Sequence, residues 1–189
     1  MTALSTRFVS AIEYLSFERQ SDEKHELHHG EVIAMSGASR EHNLITTNAA
    51  RRLGNQLEGR PCETFVSDMR VAAPSGSNYY YPDVVVTCGK PEFEDRHGDT
   101  LVNPTVVIEV LSPSTESKDR GAKFLEYRGI ASLQQFVLVS QVAPHVEVFT
   151  RTSDTSWSLM DYVGLDAVVP LPSIGCQLLL AELYDRITF

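Results

Sequence analysis

The sequence predicts a mixed α/β or α+β fold, a mixed central β-sheet flanked by helices, from three observations. Short apolar runs rich in β-branched residues, such as Val84-Val85-Val86 and Val106-Val107-Ile108, have the length and composition of buried strands. Other stretches carry apolar residues at helical spacing. One helix-like stretch lies between Leu111 and Gln135, which permits a crossover joining parallel neighbours, whereas closely spaced strands pair antiparallel. At 189 residues the chain is read as one domain spanning 1–189.

Phe8 to Leu15 has apolar positions at helical spacing with Thr6 as N-cap, so an N-terminal helix is expected. His25 to His29 and Glu31 to Met35 flank Gly30 and predict a short hairpin. Ser39 can cap the next element. From Glu41 to Leu57 the residues Leu44, Ile45, Ala49, Leu53 and Leu57 form one helical stripe, which Gly59-Arg60-Pro61 ends. Strands are expected over Glu63 to Ala72, Tyr79 to Thr87 and Thr105 to Leu111, with Gly89 to Asn103 as a surface loop. Thr115 or Ser117 can cap a helix running to Arg128, stopped at Gly129. Gln135 to Val139 and His145 to Thr150 read as further strands, and Trp157 to Tyr162 with a Pro170–Pro172 tail completes the domain.

Composition narrows the function. The longest apolar runs cover about five or six residues, against roughly twenty needed to cross a bilayer, and the N-terminus lacks the pattern of a signal peptide. A cytoplasmic protein with no membrane partner is expected. The cysteines Cys62, Cys88 and Cys176 are odd in number and widely spaced, with no CxxC pair, so buried free thiols are expected rather than disulfides or a zinc knuckle. Net charge is −9, which counts against a protein held on nucleic acid mainly through phosphates. A bound cation would reverse the sign locally.

Three residues carry the chemistry. Pro82 removes a backbone donor and marks a strand entrance, so Asp83 reads as a metal ligand there or as a turn aspartate. Glu109 lies between Val107-Ile108 and Val110-Leu111, where both strand faces should be buried. A carboxylate there needs a cation, an ammonium or an arginine partner to stay ionised. Lys123 follows on the next helix, where it either reaches the carboxylates or is solvated. Two oxygen ligands can hold Mg²⁺ or Mn²⁺, which activates water and neutralises phosphoryl charge. A neighbouring lysine can orient that water.

Pro82-Asp83 followed by Glu109-Val110-Leu111 resembles the signature of the PD-(D/E)XK nuclease superfamily. The wider set is similar to the Uma family of restriction-endonuclease-like proteins: Gly30-Glu31-Val32-Ile33-Ala34-Met35, a helix headed by Glu41-His42, and Val107 to Thr115 followed by Lys123 and Tyr127. The resemblance, over residues 10 to 165, implies a restriction endonuclease-like core and hydrolysis of DNA phosphodiester bonds. It implies Asp83, Glu109 and the Val110 carbonyl as metal ligands, with Lys123 assisting the water and Glu31 and His42 as further site residues. The chain departs from the superfamily at Leu111, where a lysine is usual.

Several residues carry two readings. Glu31 reads equally as a hairpin-edge carboxylate, and His42 as a partner of Glu41 or the backbone. Asp68 reads as a solvated strand acid or a support of the site. His25, His28 and His29 suggest a polar hairpin face rather than zinc ligands, and Tyr79-Tyr80-Tyr81 packing rather than base stacking. The preferred function is a Mg²⁺-dependent endodeoxyribonuclease. The alternative is a catalytically inactive nuclease-fold protein with a DNA-binding or regulatory role. Cutting both strands of a duplex favours two active sites, so a homodimer is expected.

Overall fold

Helix α1 (Ala11–Glu18) begins in a capping box: the Ser10 hydroxyl accepts from the Glu13 N–H, and the Glu13 carboxylate accepts from the Ser10 N–H. The computed structural model describes residues 8–74, 76–112, 116 and 119–189. Thr6, the expected cap, lies outside them. Strands β1 (His25–His28) and β2 (Glu31–Ala34) form the expected hairpin, with Glu26 opposite Ile33 and His28 opposite Glu31. Helix α2 (Arg40–Leu57) is capped as expected by Ser39, whose hydroxyl accepts from the His42 N–H. Ile45, Ala49, Leu53 and Leu57 on its inner face are buried, each large side chain contributing about 1.5–3 kcal/mol.

The next two expected strands are each broken in two. Glu63 to Ala72 divides into β3 (Cys62–Val66) and β4 (Arg70–Ala72) around Ser67, whose φ is +50°. Tyr79 to Thr87 divides into β5 (Tyr79–Tyr80) and β6 (Val84–Cys88) around Pro82-Asp83. The physical reason is shared, since the halves of each stretch belong to different sheets. Ser67-Asp68 and Pro82-Asp83 carry turn chemistry, but a local turn signal does not say that the residues beyond it pair in another sheet. Within the expected loop Gly89 to Asn103, β7 (Thr100–Leu101) pairs in parallel with β4, and Leu101 is fully buried.

Strand β8 (Val106–Leu111) precedes a π-helical turn, Asp119–Lys123, which runs into helix α3 (Phe124–Tyr127). The expected caps Thr115 and Ser117 fall outside the described residues. The chain then forms β9 (Gln135–Ser140), β10 (His145–Arg151), β11 (Trp157–Val163), β12 (Val168–Leu171), β13 (Cys176–Leu179) and helix α4 (Leu180–Leu183). The main sheet runs β11-β10-β9-β8-β6-β3. Its β8–β9 pair is parallel, joined through the helical segment, and its other pairs are antiparallel. A second sheet runs β2-β1-β5-β4-β7, and β12–β13 form a separate hairpin.

Both faces of the main sheet are covered, which is why β8 is buried at every position. Val106, Ile108 and Val110 pack with α2, β12–β13 and α4. Val107 and Leu111 pack on the other face with Tyr80, Tyr127 and Phe136. Because alternate residues share a face, Glu109 belongs with Val107 and Leu111. Among the described residues no helix is long and apolar enough to cross a membrane.

The cysteine expectation is corrected. Antiparallel pairing of β3 and β6 puts Cys62 directly opposite Cys88, and the two form a disulfide; Cys176 is free and buried. Sequence spacing hides the pair because strand register, not proximity along the chain, brings the residues together. Unfolded without reductant and treated with iodoacetamide, the chain should take one alkyl group, at Cys176; with reductant it should take three. Intact mass spectrometry reads the difference.

Candidate active site

The β6–β8 ladder pairs Val84 with Ile108 and stops there, because Pro82 cannot donate and the chain turns into the second sheet. The Val110 N–H, beyond the last pair, still needs an acceptor. Asp83 supplies it, its Oδ2 accepting from the Val110 N–H at 2.7 Å. His42, in the first turn of α2, brings its Nε2 to 3.3 Å from the same oxygen. It therefore pairs with Asp83 rather than with Glu41.

Glu109 is reached from the helix side. Lys123 and Asp119 stand four residues apart in the π-helical turn, with Lys123 Nζ 3.2 Å from Asp119 Oδ1. The same ammonium lies 3.4 Å from Glu109 Oε1 and 2.8 Å from Glu26 Oε1 on β1. The Tyr127 hydroxyl donates to Glu109 Oε1 at 3.2 Å. The far side of Glu26 meets His28 Nε2 at 2.9 Å. Glu26, Glu109, Asp119 and Lys123 are all at least nine-tenths buried. Leu111 shares the Glu109 face and packs in the apolar cluster with Tyr127 and Phe136. The ammonium thus approaches the same face from a helix instead of from the strand.

Charge in this site is unbalanced. Among the described residues, Asp83, Glu109, Asp119 and Glu26 face one lysine and two histidines, His42 and His28. Burial pushes the Glu109 carboxyl well above its usual value against the pull of Lys123, and Asp119, Asp83 and Glu26 add to the rise. Burial alone would lower Lys123, but Glu109, Glu26 and Asp119 outweigh it and raise the ammonium well above its usual range. Burial also works to raise Glu26, yet Lys123 and the His28 hydrogen bond hold it down to about 2. For His42 the Asp83 carboxylate outweighs burial, so its pKa is raised. Tyr127 is pushed well up, by burial first and then by Glu109.

Glu26, His42, Asp83, Glu109, Asp119 and Lys123 line a cleft of about 880 Å³. The structure brings together Asp83, Glu109, Val110, Lys123 and His42 of the expected set. It does not bring Glu31. That residue shares the hairpin face of Glu26 and Ile33 but sits at the turn end opposite His28, exposed and off the cleft wall. Sequence reading missed Glu26 and Asp119. The available signals were the i, i+4 spacing of Asp119 and Lys123 and an acid beside an apolar residue in a short strand, neither of them specific. Asp68 is exposed and pairs with Lys24. His25, His28 and His29 go to Glu18, Glu26 and Glu126 separately, and Tyr79, Tyr80 and Tyr81 are buried in packing. A separate group, His145, Glu147 and Asp161, brings its ligand atoms within 4.8 Å of one another on β10 and β11. There Glu147 is also paired with Arg120.

Residues 11–181 match the Uma2 family, whose description is "putative restriction endonuclease". Two Synechocystis sp. proteins are similar along most of their length. Uncharacterized protein sll1609 is 38% identical over 169 residues, covering 89% of this chain and 96% of the relative. Uncharacterized protein slr1290 is 35% identical over 182 residues, covering 96% and 94%. Among solved structures, "a putative nuclease belonging to DUF820" from Anabaena variabilis superposes with a TM-score of 0.78 at 19% identity, covering 95% of this chain and 99% of its own. At that identity the likeness speaks to the fold.

Proposed function

The chain belongs to the Uma2 family, and from that premise we propose that it is a metal-dependent endonuclease hydrolysing DNA phosphodiester bonds. The observation that carries the reading is the meeting, in one cleft, of Asp83 at the entrance to β6 and buried Glu109 from β8 with a buried lysine. Asp83, Glu109 and the Val110 carbonyl would hold Mg²⁺, or Mn²⁺ in its place. The donor set fits such a cation, because all three ligands are hard oxygens. Burial raises the Glu109 carboxyl, and a cation beside it would favour its ionised form. When bound, the cation supplies an acidified water and neutralises phosphoryl oxygens.

The chain's own groups do the positioning. Both contacts to Asp83 described above fall on Oδ2, from the Val110 N–H and His42, which orients the carboxylate and keeps Oδ1 for a cation. Lys123 sets its ammonium beside Glu109 to orient the attacking water and offset developing negative charge. Glu26 and Asp119 hold that ammonium in place, and Tyr127 steadies Glu109.

A second reading, a nuclease-fold protein without catalysis in a DNA-binding or regulatory role, is favoured by Leu111 and by the net charge of −9. Calorimetric titration with Mn²⁺ separates the two. Saturable binding that disappears in Asp83→Ala is the expected result; heat that is absent, or unchanged by the substitution, supports the second reading.

A further inference from the structure

The cleft is bridged at two places. Ser39, just before α2, donates from its hydroxyl to Oε1 of Gln141 in the β9–β10 connection at 2.8 Å. Lys24, before β1, reaches the Ser67 carbonyl at 3.1 Å and the Asp68 carboxylate at 2.8 Å. Between these bridges Ile33 to Ser39 forms one wall of the cleft, and the Glu109–Lys123 group belongs to its buried part. A scissile phosphate must therefore enter between the walls to meet Glu109.

The space and its lining limit what can enter. A volume of about 880 Å³ suits a ligand on the order of two nucleotides, not the girth of a double helix. Among the described residues the lysines on the cleft wall are Lys24, paired with Asp68, and Lys123, held by three carboxylates. The outer wall instead offers Ile33 and the part-exposed Met35, against which an unstacked base can lie.

We infer that the substrate is single-stranded DNA, or the unpaired segment of a branched or overhanging duplex, threaded between the two bridges. This inference rests on the metal-dependent nuclease reading and names its substrate class. One strand needs one site for each cut, so the homodimer expected for duplex cutting is not required.

The test compares a labelled oligonucleotide as a single strand, as a blunt duplex, and as a duplex with an unpaired overhang, each with Mn²⁺. The expected result is cleavage of the single strand at least about tenfold faster than of the blunt duplex, with cuts in the overhang confined to its unpaired part. Met35→Ala should raise KM for the single strand while leaving Mn²⁺ binding intact. Gln141→Ala, which removes one bridge, should narrow the preference by admitting duplex. Equal or faster cutting of blunt duplex overturns the inference and leaves the nuclease reading standing. Failure to cut any of the three substrates, in a preparation that is folded by circular dichroism, removes both.

Discussion

Asp83→Asn and Glu109→Gln should each reduce Mn²⁺-dependent DNA cleavage by about 10²–10³-fold or more, the scale seen when one preorganised charge-stabilising group is lost. The two substitutions are chosen so that loss of fold cannot mimic the effect. In Asp83→Asn the side-chain oxygen can still accept from the Val110 N–H, so the end of the β6–β8 ladder stays satisfied. In Glu109→Gln a buried carboxyl already pushed well above its usual value gives way to a neutral group of the same size. That change relieves a desolvation cost, and thermal stability in EDTA should hold or rise. Near-full cleavage by either variant would remove the residue from the metal site. A fall in cleavage matched by early melting would mean that the residue is structural.

Lys123→Met carries the second large effect. The ammonium is the shared partner of Glu26, Glu109 and Asp119, all at least nine-tenths buried. Removing one partner of a buried ionic group leaves the other charges uncompensated, at a cost of about 3–5 kcal/mol. Metal-free Lys123→Met should therefore unfold at clearly lower urea concentration than wild type at neutral pH. The pH dependence has a definite sign. Glu26 is held down to about 2 by Lys123 after burial has worked against it. A depressed carboxyl adds stability above its unfolded value of 4.5 and loses it as pH falls through the folded one. The variant lacks that contribution, so the gap between the two proteins should be widest above about pH 5 and narrow toward pH 2. Urea midpoints in EDTA across that range measure it. A gap that widens on acidification would show that Lys123 does not hold Glu26. Lys123→Arg, which keeps the charge, should recover much of the stability but little of the cleavage if water positioning depends on a compact ammonium.

Much of the fold was legible because its strongest elements obey local rules. The stripe Ile45, Ala49, Leu53 and Leu57 encodes α2 by itself, Gly30 encodes the hairpin turn, and the valine-rich runs encode β6 and β8. The two corners at Ser67 and Pro82-Asp83 were not, because turn residues inside a strand-like stretch mark a bend but not the change of sheet that follows it. The disulfide was hidden for a related reason: register is a property of two strands, and either cysteine alone looks like a buried thiol. In the site, Asp83, Glu109 and Lys123 stood out because each sat in a telling local setting. Glu26 did not. It enters the cleft only through the fold of the hairpin against the π-helical turn, a long-range contact with no local mark.

One feature of the sheet reaches beyond the site itself. Val84-Val85-Val86 lies against Val106-Val107-Ile108, and near-identical side chains give a ladder little reason to prefer one alignment over its neighbour. A slip of one residue would exchange valine for valine in the core, yet it would turn Asp83 to the opposite face of the sheet. Two constraints outside the apolar ladder remove that ambiguity. The Cys62–Cys88 bond fixes β6 against β3 at one end, and the Asp83–Val110 hydrogen bond fixes it against β8 at the other. A repetitive strand, suited to filling a core but poor at specifying alignment, is thus keyed at both ends, and at one of them the key is the carboxylate on which the proposed chemistry depends.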